Sequence, residues 1–168
     1  ARVFGYAEVY DNAEVYNKAQ VWKSAEVYEY AEVYGKAEVT DNGKVFGSAK
    51  VFGNAEVWEN GQVFGNAELY SSAEVFGDAK VYGNAEVWEN ARVSGNVEVS
   101  ENAVVHGYMN VYGTVQISGN VTLSGGADVC GDAQISKEED ILIFKNHWSS
   151  FRYFTYTKSN KMWKAGCF

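Results

Sequence analysis

An aliphatic residue recurs at every sixth position from Val3 to Ile135, with no insertion or deletion. The 23 matches comprise 19 Val, 2 Ile and 2 Leu, and the residue two places earlier is Ala in 17 of them. Residues two apart in an extended segment point to the same side. We therefore expect one short strand per repeat, with the small and aliphatic residues inside and the two neighbours of the aliphatic residue outside.

Each predicted strand is followed by a pair of residues rich in Gly and Asn, as in AKVYGN (79–84). Such pairs allow the dihedral angles of a sharp corner. A short flat segment that bends in every repeat cannot bury its apolar side alone, so it must stack on its neighbours. The pattern predicts a β-solenoid over residues 1–138.

These six-residue units resemble the repeats of the hexapeptide-repeat family, and the resemblance covers residues 1–138. It implies an all-β fold, a left-handed parallel β-helix with three hexads per 18-residue coil. At that length 138 residues form about 7.7 coils. The left hand is implied by the family alone, because parallel crossovers are otherwise right-handed.

Residues 139–168 lack the six-residue period and form a second predicted unit, a C-terminal β-hairpin cap. We expect a strand at about 141–145, a loop at 146–150, and a hairpin with arms Phe151–Thr157 and Lys161–Cys167. A solenoid end exposes unpaired strand edges, which such a cap would cover. The ending WKAGCF (163–168) is similar to the C-terminal segment of hexapeptide-repeat proteins of phages and prophages, which implies that origin.

The residue after each aliphatic position is aromatic in fourteen of the first fifteen repeats, Thr40 being the exception. With three hexads per coil these side chains form three outward columns: Phe4, Trp22, Thr40, Trp58 and Phe76; Tyr10, Tyr28, Phe46, Phe64 and Tyr82; Tyr16, Tyr34, Phe52, Tyr70 and Trp88. Rings one strand apart are expected to stack and stabilise the sheet. Such columns exceed what a lone rod usually exposes, so they also indicate a contact surface.

Charged residues before the aliphatic position also sort by column. Glu38, Glu56 and Glu74 follow one another with no cation between them, about 5 Å apart at the usual strand spacing, and Trp58 and Phe76 share their strands. A solvated acidic edge that keeps the rod soluble is the simpler explanation of the three carboxylates. The candidate binding surface consists of Glu38, Glu56, Glu74, Trp22, Trp58, Phe76 and Trp88.

The chain has 22 acidic and 14 basic residues, a net charge of −8, which argues against nonspecific binding to nucleic acid or an anionic membrane. It contains neither an apolar run long enough to span a membrane nor a basic-then-apolar leader. Its two cysteines, 37 positions apart, suggest a reducing compartment. We expect the cytoplasm of a bacterial host, with a phage particle as the alternative.

Many hexapeptide-repeat proteins are trimeric acyltransferases, which by resemblance use a histidine base and a loop that leaves the coil. The chain has only His106 and His147, and no insertion provides such a loop. A zinc site of the kind this fold can hold would need three histidines. Cys130 and Cys167 have no histidine beside them in sequence. We therefore expect no catalytic residue, no metal and no cofactor.

The sequence favours a non-enzymatic β-solenoid scaffold that presents its rings and carboxylates to a protein partner or to another copy of itself. Inhibition of a host defence protein is one biological role for it. A trimeric acyltransferase is the first alternative. A glycan-binding or fibre module of a phage particle is the second, suggested by Trp22, Trp58 and Trp88.

Overall fold

The fold is a parallel β-solenoid, seen in a computed structural model that describes residues 1–145 and 152–165. Each repeat contributes one two-residue strand. The solenoid strands are β1 Arg2–Val3, β2 Glu8–Val9, β3 Glu14–Val15, β4 Gln20–Val21, β5 Glu26–Val27, β6 Glu32–Val33, β7 Glu38–Val39, β8 Lys44–Val45, β9 Lys50–Val51, β10 Glu56–Val57, β11 Gln62–Val63, β12 Glu68–Leu69, β13 Glu74–Val75, β14 Lys80–Val81, β15 Glu86–Val87, β16 Arg92–Val93, β17 Glu98–Val99, β18 Val104–Val105, β19 Asn110–Val111, β20 Gln116–Ile117, β21 Thr122–Leu123, β22 Asp128–Val129 and β23 Gln134–Ile135.

Each solenoid strand up to β20 pairs in parallel with the third strand after it in the chain, as Val57 does with Val75. The strands thereby form three sheets, whose outer surfaces we call face A (β1, β4, β7, β10, β13, β16, β19, β22), face B (β2, β5, β8, β11, β14, β17, β20, β23) and face C (β3, β6, β9, β12, β15, β18, β21). Backbone amides donate to carbonyls of the next coil, as Thr40 does to Val57 at 2.9 Å. The predicted coil of three hexads is confirmed.

The interior contains the small and aliphatic residues, as predicted. From Ala19 to Ile135 these side chains are at most 1 % exposed, and the largest among them are Leu69, Met109, Ile117, Leu123 and Ile135. The first coil is less buried, with Val3 47 % exposed, because the described residues cover it on one side only. Since most core residues are Ala and Val, each coil buries little apolar volume in its interior. Apolar side chains on the outer faces can therefore add to the total buried area.

The corners occur at the residue that follows the outward ring. From residue 5 to residue 131 every sixth residue has a positive φ, for example Gly53 at 77° and Glu59 at 54°. Glycine adopts this left-handed conformation without the steric cost that a Cβ brings, which explains its recurrence there. At Gly53 a Cβ would also lie 2.9 Å from the backbone nitrogen of Ser71 on the next coil.

A short 3₁₀ helix, Glu138–Asp140, leads from the solenoid into an antiparallel sheet of β24 Ile141–Lys145, β25 Tyr153–Thr157 and β26 Met162–Ala165. This sheet lies against β22 of the last coil. The Thr155 hydroxyl donates a 2.6 Å hydrogen bond to the Asp128 carbonyl, and the Ser159 hydroxyl accepts one of 2.8 Å from the Gln134 amide. The side chains of the sheet thus satisfy backbone groups that no further coil is present to pair.

The predicted β-solenoid and C-terminal hairpin sheet are confirmed, and the strand expected at about 141–145 is β24. The hairpin arms are shorter than predicted, since β25 begins at Tyr153 and β26 begins at Met162. Phe151, the loop at 146–150 with His147, and Cys167 lie outside the described residues. The left-handed coil and the domain limits 1–138 and 139–168 stay predictions. None of the described helices is long and apolar enough to cross a membrane.

Candidate binding surface

The outward rings of faces B and C stack into continuous ladders. On face B, Phe46 lies 4.9 Å from Tyr28 and 4.7 Å from Phe64, ring centre to ring centre, with planes within 2° of parallel. The face B ladder is Tyr10, Tyr28, Phe46, Phe64 and Tyr82, and the face C ladder is Tyr16, Tyr34, Phe52, Tyr70, Trp88 and His106. The predicted stacking is confirmed, and each pair contributes about 0.5–1.5 kcal/mol beyond its buried area.

Face A differs because its ring ladder is interrupted and then resumes. Its outward column is Phe4, Trp22, Thr40, Trp58, Phe76, Ser94, Tyr112 and Cys130. Phe4 stacks on Trp22 at 5.7 Å and Trp58 stacks on Phe76 at 4.2 Å. Thr40 and Ser94 therefore leave two breaks, each flanked by a ring on both sides.

The carboxylates of Glu38, Glu56 and Glu74 lie on three successive strands of face A, as predicted. The outer two have partners: Gln20 Nε2 donates to Glu38 Oε1 at 2.9 Å, and Arg92 Nη2 lies 3.0 Å from Glu74 Oε2. Glu56 makes no hydrogen bond or ion pair within the described residues. Burial, followed by the Glu74 and Glu38 carboxylates, raises the pKa of Glu56. The centre of the column is thus an unpaired negative charge.

The three tryptophans of the candidate surface do not lie together. Trp22 and Trp58 are on face A, whereas Trp88 is on face C, where it stacks on His106 at 4.0 Å. All three are partly buried by their ladder neighbours rather than fully exposed. The indole nitrogens of Trp58 and Trp88 are buried and have no hydrogen-bond partner within the described residues. Partly covered indoles offer an edge for contact more than a free face.

His106 has a carboxylate neighbour that its sequence surroundings do not reveal. Its Nδ1 atom lies 3.4 Å from Oε2 of Glu89, at a corner of the preceding coil. The imidazole also completes the face C ladder against Trp88. The histidine therefore serves as a ring of the face C ladder. Its separation from Glu89, one position short of a full coil, is the signal that could have predicted the contact.

Where the C-terminal sheet meets face A, the fold brings Cys130 and Tyr112 of the solenoid close to Met162 and Lys164 of the sheet. Cys130 is only 9 % exposed, with its sulfur 3.8 Å from that of Met162. The Lys164 ammonium lies 5.8 Å from the centre of the Tyr112 ring, and burial raises the pKa of the Tyr112 hydroxyl. Cys130 follows the aliphatic Val129, so the repeat pattern places it outward, and the C-terminal sheet covers it. Only the packing of the sheet on β22 joins these residues.

The Ser94 break opens into a cavity of about 300 Å³, lined by Phe76, Arg92, Ser94, Asn110, Tyr112 and Asp128. Within residues 1–145 and 152–165, no three His, Cys, Asp or Glu side chains are placed to hold one metal ion. The three face A carboxylates form a row along the rod instead of converging on a point. A row of charges beside a row of rings suits an extended partner better than a small ion.

A search of protein families finds the YdcK beta solenoid repeat, which matches residues 91–107. The matched segment contains β16, β17 and β18, that is, nearly one complete coil. No curated protein and no solved structure matches the chain. The fold and the family match agree that this chain is a repeat protein with a parallel β-solenoid.

Proposed function

We propose that the chain is a non-enzymatic β-solenoid scaffold that presents its outward rings and carboxylates to a protein partner or to a second copy of itself. The observation that supports this proposal is the pairing, on face A, of a partly exposed ring column with a row of carboxylates. Large apolar surfaces rimmed by polar groups are typical of protein interfaces. The rigid solenoid holds these groups at a fixed spacing. Binding therefore costs conformational entropy mainly on the side of the partner.

The charge of face A favours a basic partner surface. Within the described residues Glu56 makes no ion pair, while Arg92 pairs with Glu74 and acts on Glu56 only from a distance. We further propose that the chain is of phage or prophage origin, that it acts in the bacterial cytoplasm, and that it inhibits a host defence protein. The resemblance of the ending WKAGCF supports this origin.

Affinity capture from a bacterial lysate with matched variants tests the scaffold proposal. The test variant replaces Glu38, Glu56 and Glu74 by Gln, and the control variant replaces Glu8, Glu14 and Glu68 on faces B and C. We expect a protein that the wild type and the control retain and the test variant loses. Light scattering measures self-association in parallel, and a multimer that only the test variant dissociates supports the same surface. A monomer that retains no protein in this way contradicts the proposal.

A trimeric acyltransferase is the second candidate, favoured by the 3.4 Å contact of His106 with Glu89, since a histidine base is usually oriented by a carboxylate. Thermal unfolding with millimolar acetyl-CoA tests it. A rise in Tm that is absent in His106→Phe, together with a trimer mass, would favour the enzyme over the scaffold. An unchanged Tm in the wild type would leave the scaffold as the better account.

A further inference from the structure

We infer that the cavity at the Ser94 break of face A is a binding site for a planar purine base of the guanine type. The inference goes beyond the proposed scaffold function and does not depend on it. Three features of the described residues support it: a slot between two rings that is one ring wide, walls that other contacts hold in place, and polar groups along the slot with unused hydrogen-bonding capacity.

The slot at Ser94 is one planar ring wide. The strands β13, β16 and β19 are neighbours in the sheet, so Phe76 and Tyr112 lie one level before and one level after Ser94. Two strand spacings separate these levels, about 9.6 Å in total. On face C the chain places one of its own rings in the same arrangement, since Phe52 lies 4.9 Å from the ring on either side. A ring inserted at Ser94 would therefore stack on both walls.

The slot is open although Arg92 lies beside it. Two nitrogens of Arg92, Nη2 and Nε, approach Glu74 Oε2 at 3.0 and 3.1 Å, which holds the guanidinium towards the row of carboxylates. The guanidinium carbon lies 5.2 Å from the centre of the Phe76 ring. The cavity of about 300 Å³ is the space that remains with Arg92 in this position. Arg92 therefore lines the slot and does not fill it.

Both walls of the slot are held by contacts on their far sides. Phe76 stacks on Trp58 at 4.2 Å, with the two planes 7° apart. Tyr112 lies beside the C-terminal sheet, where the Lys164 ammonium is 5.8 Å from the centre of its ring. Because the walls are already in place, a flat ligand can bind without the entropy cost of ordering them.

Polar groups along the slot have hydrogen-bonding capacity that the chain does not use. A guanidinium has five N–H groups, and the two of Arg92 that are directed at Glu74 leave three. Asn110 donates to Asp128 Oδ1 at 3.1 Å, so the Asn110 side-chain oxygen and Asp128 Oδ2 stay available as acceptors. The Ser94 hydroxyl makes no hydrogen bond within the part of the chain that the structure describes. The slot thus offers donors and acceptors side by side.

Guanine matches these groups, whereas adenine does not. The O6 and N7 atoms of guanine are neighbouring acceptors, and an arginine guanidinium binds this pair in a bidentate manner. The N1–H and amino groups of guanine are donors for the free oxygens of Asn110 and Asp128. Adenine has an amino group in place of O6, which would face the N–H groups of Arg92.

The charge around the slot favours a neutral ligand that is free in solution. Arg92 pairs with Glu74, and Asp128 acts electrostatically on Lys164, so each of these two cations has a carboxylate near it. The chain as a whole has a net charge of −8, which repels a nucleic acid backbone. We therefore assign the site to free guanine or its nucleoside.

Titration of the full chain with guanosine and with adenosine, followed by saturation-transfer NMR, tests the site. We expect guanosine to bind at least about fivefold more tightly than adenosine. Ser94→Phe fills the slot with a ring, like those of faces B and C, and should weaken guanosine binding at least about tenfold. Ser118→Phe on face B is the matched control and should leave guanosine binding unchanged.

Arg92→Gln is a second variant should Ser94→Phe fail to fold, and it should abolish the preference for guanosine over adenosine. Equal binding of the two nucleosides to the wild type, no binding of guanosine at millimolar concentration, or full binding by Ser94→Phe would overturn the site. Binding of a guanine oligonucleotide without binding of guanosine would overturn the assignment to a free base. A multimer that Ser94→Phe dissociates would place a side chain of another copy in the slot and would also overturn the inference.

Discussion

The Tyr70 hydroxyl donates a 3.1 Å hydrogen bond to Glu86 Oε2 on the adjacent coil. Tyr16 makes the same bond to Glu32 at 2.9 Å. Each bond links the ring column of face C to the carboxylate column beside it. Burial and the neighbouring carboxylate raise the pKa of Tyr70 to about 12, and burial and the bond to Glu32 do the same for Tyr16. The outer ladders are therefore fastened by polar contacts as well as by stacking.

We expect the solenoid to lose stability as the pH rises from about 10 towards 12. Because the pKa is raised in the folded state, the folded chain keeps a proton that the unfolded chain loses near pH 10. The stabilisation that comes from the raised pKa is complete below pH 10. It disappears as the pH rises through the pKa of the hydroxyl in the folded chain, about 12. Denaturant unfolding at about pH 8, 10 and 11.5 measures the loss, and the double variant Tyr16→Phe, Tyr70→Phe should show a smaller one.

Tyr30→Phe is the control for this titration, since Tyr30 is 66 % exposed at a corner. Its loss of stability with pH should equal that of the wild type. A double variant that loses as much stability as the wild type between pH 10 and 12 would show that the two bonds do not cause the effect.

Glu56→Gln should stabilise the fold. The substitution removes the charge at the centre of the face A row, and like charges on adjacent strands destabilise a sheet. We expect Tm to rise by about 1–3 °C at neutral pH and low salt. Because the pKa of Glu56 is raised in the folded state, the ionised group destabilises above that pKa. The rise in Tm caused by Glu56→Gln should therefore become smaller as the pH falls through the pKa of Glu56.

Glu74→Gln is the matched change for Glu56→Gln, because it removes the partner of Arg92 from the same row. Scanning calorimetry of both variants should show a gain only for Glu56→Gln. Equal gains would mean that the ion pair of Glu74 contributes nothing.

Leu69→Ala should destabilise the solenoid by about 2–4 kcal/mol, because Leu69 is fully buried and adjacent coils cannot close around the cavity. Its strand neighbours are Val51 and Val87, so Leu69→Val repeats the composition of its column. We expect that change to cost only about 0.5–1.5 kcal/mol. Urea unfolding distinguishes the two, and similar losses would show that this core adapts to volume changes.

His106→Phe should preserve stability, whereas His106→Ala should cost about 0.5–1.5 kcal/mol, because the ring at this position covers Trp88 at 4.0 Å. A shift of the Trp88 emission in the alanine variant alone would report the exposed indole. Loss of stability in both variants would assign the effect to the Glu89 contact instead of the stacking.

The repeat pattern predicted the core residue by residue, because the two-residue alternation of a strand decides which side chains face inward. It also predicted the position of Trp58 over Phe76, once the coil of three hexads was taken from the family resemblance. How far each indole is covered could not be read from the repeat, because it depends on the rings that stack on it. The covering of Cys130 was missed because the C-terminal sheet has no repeat register by which to place it.

The sequence by itself determined the strands, the corners and the division into inward and outward residues, since these depend on the hexad period alone. Only the tertiary structure decided which residues meet across coils. A period of six is compatible with different numbers of strands per coil, and the pairing of Glu56 with Glu74 shows that three close each coil here. Contacts slightly off the coil repeat, such as His106 with Glu89 and Tyr70 with Glu86, depend on side-chain length and direction as well as on register.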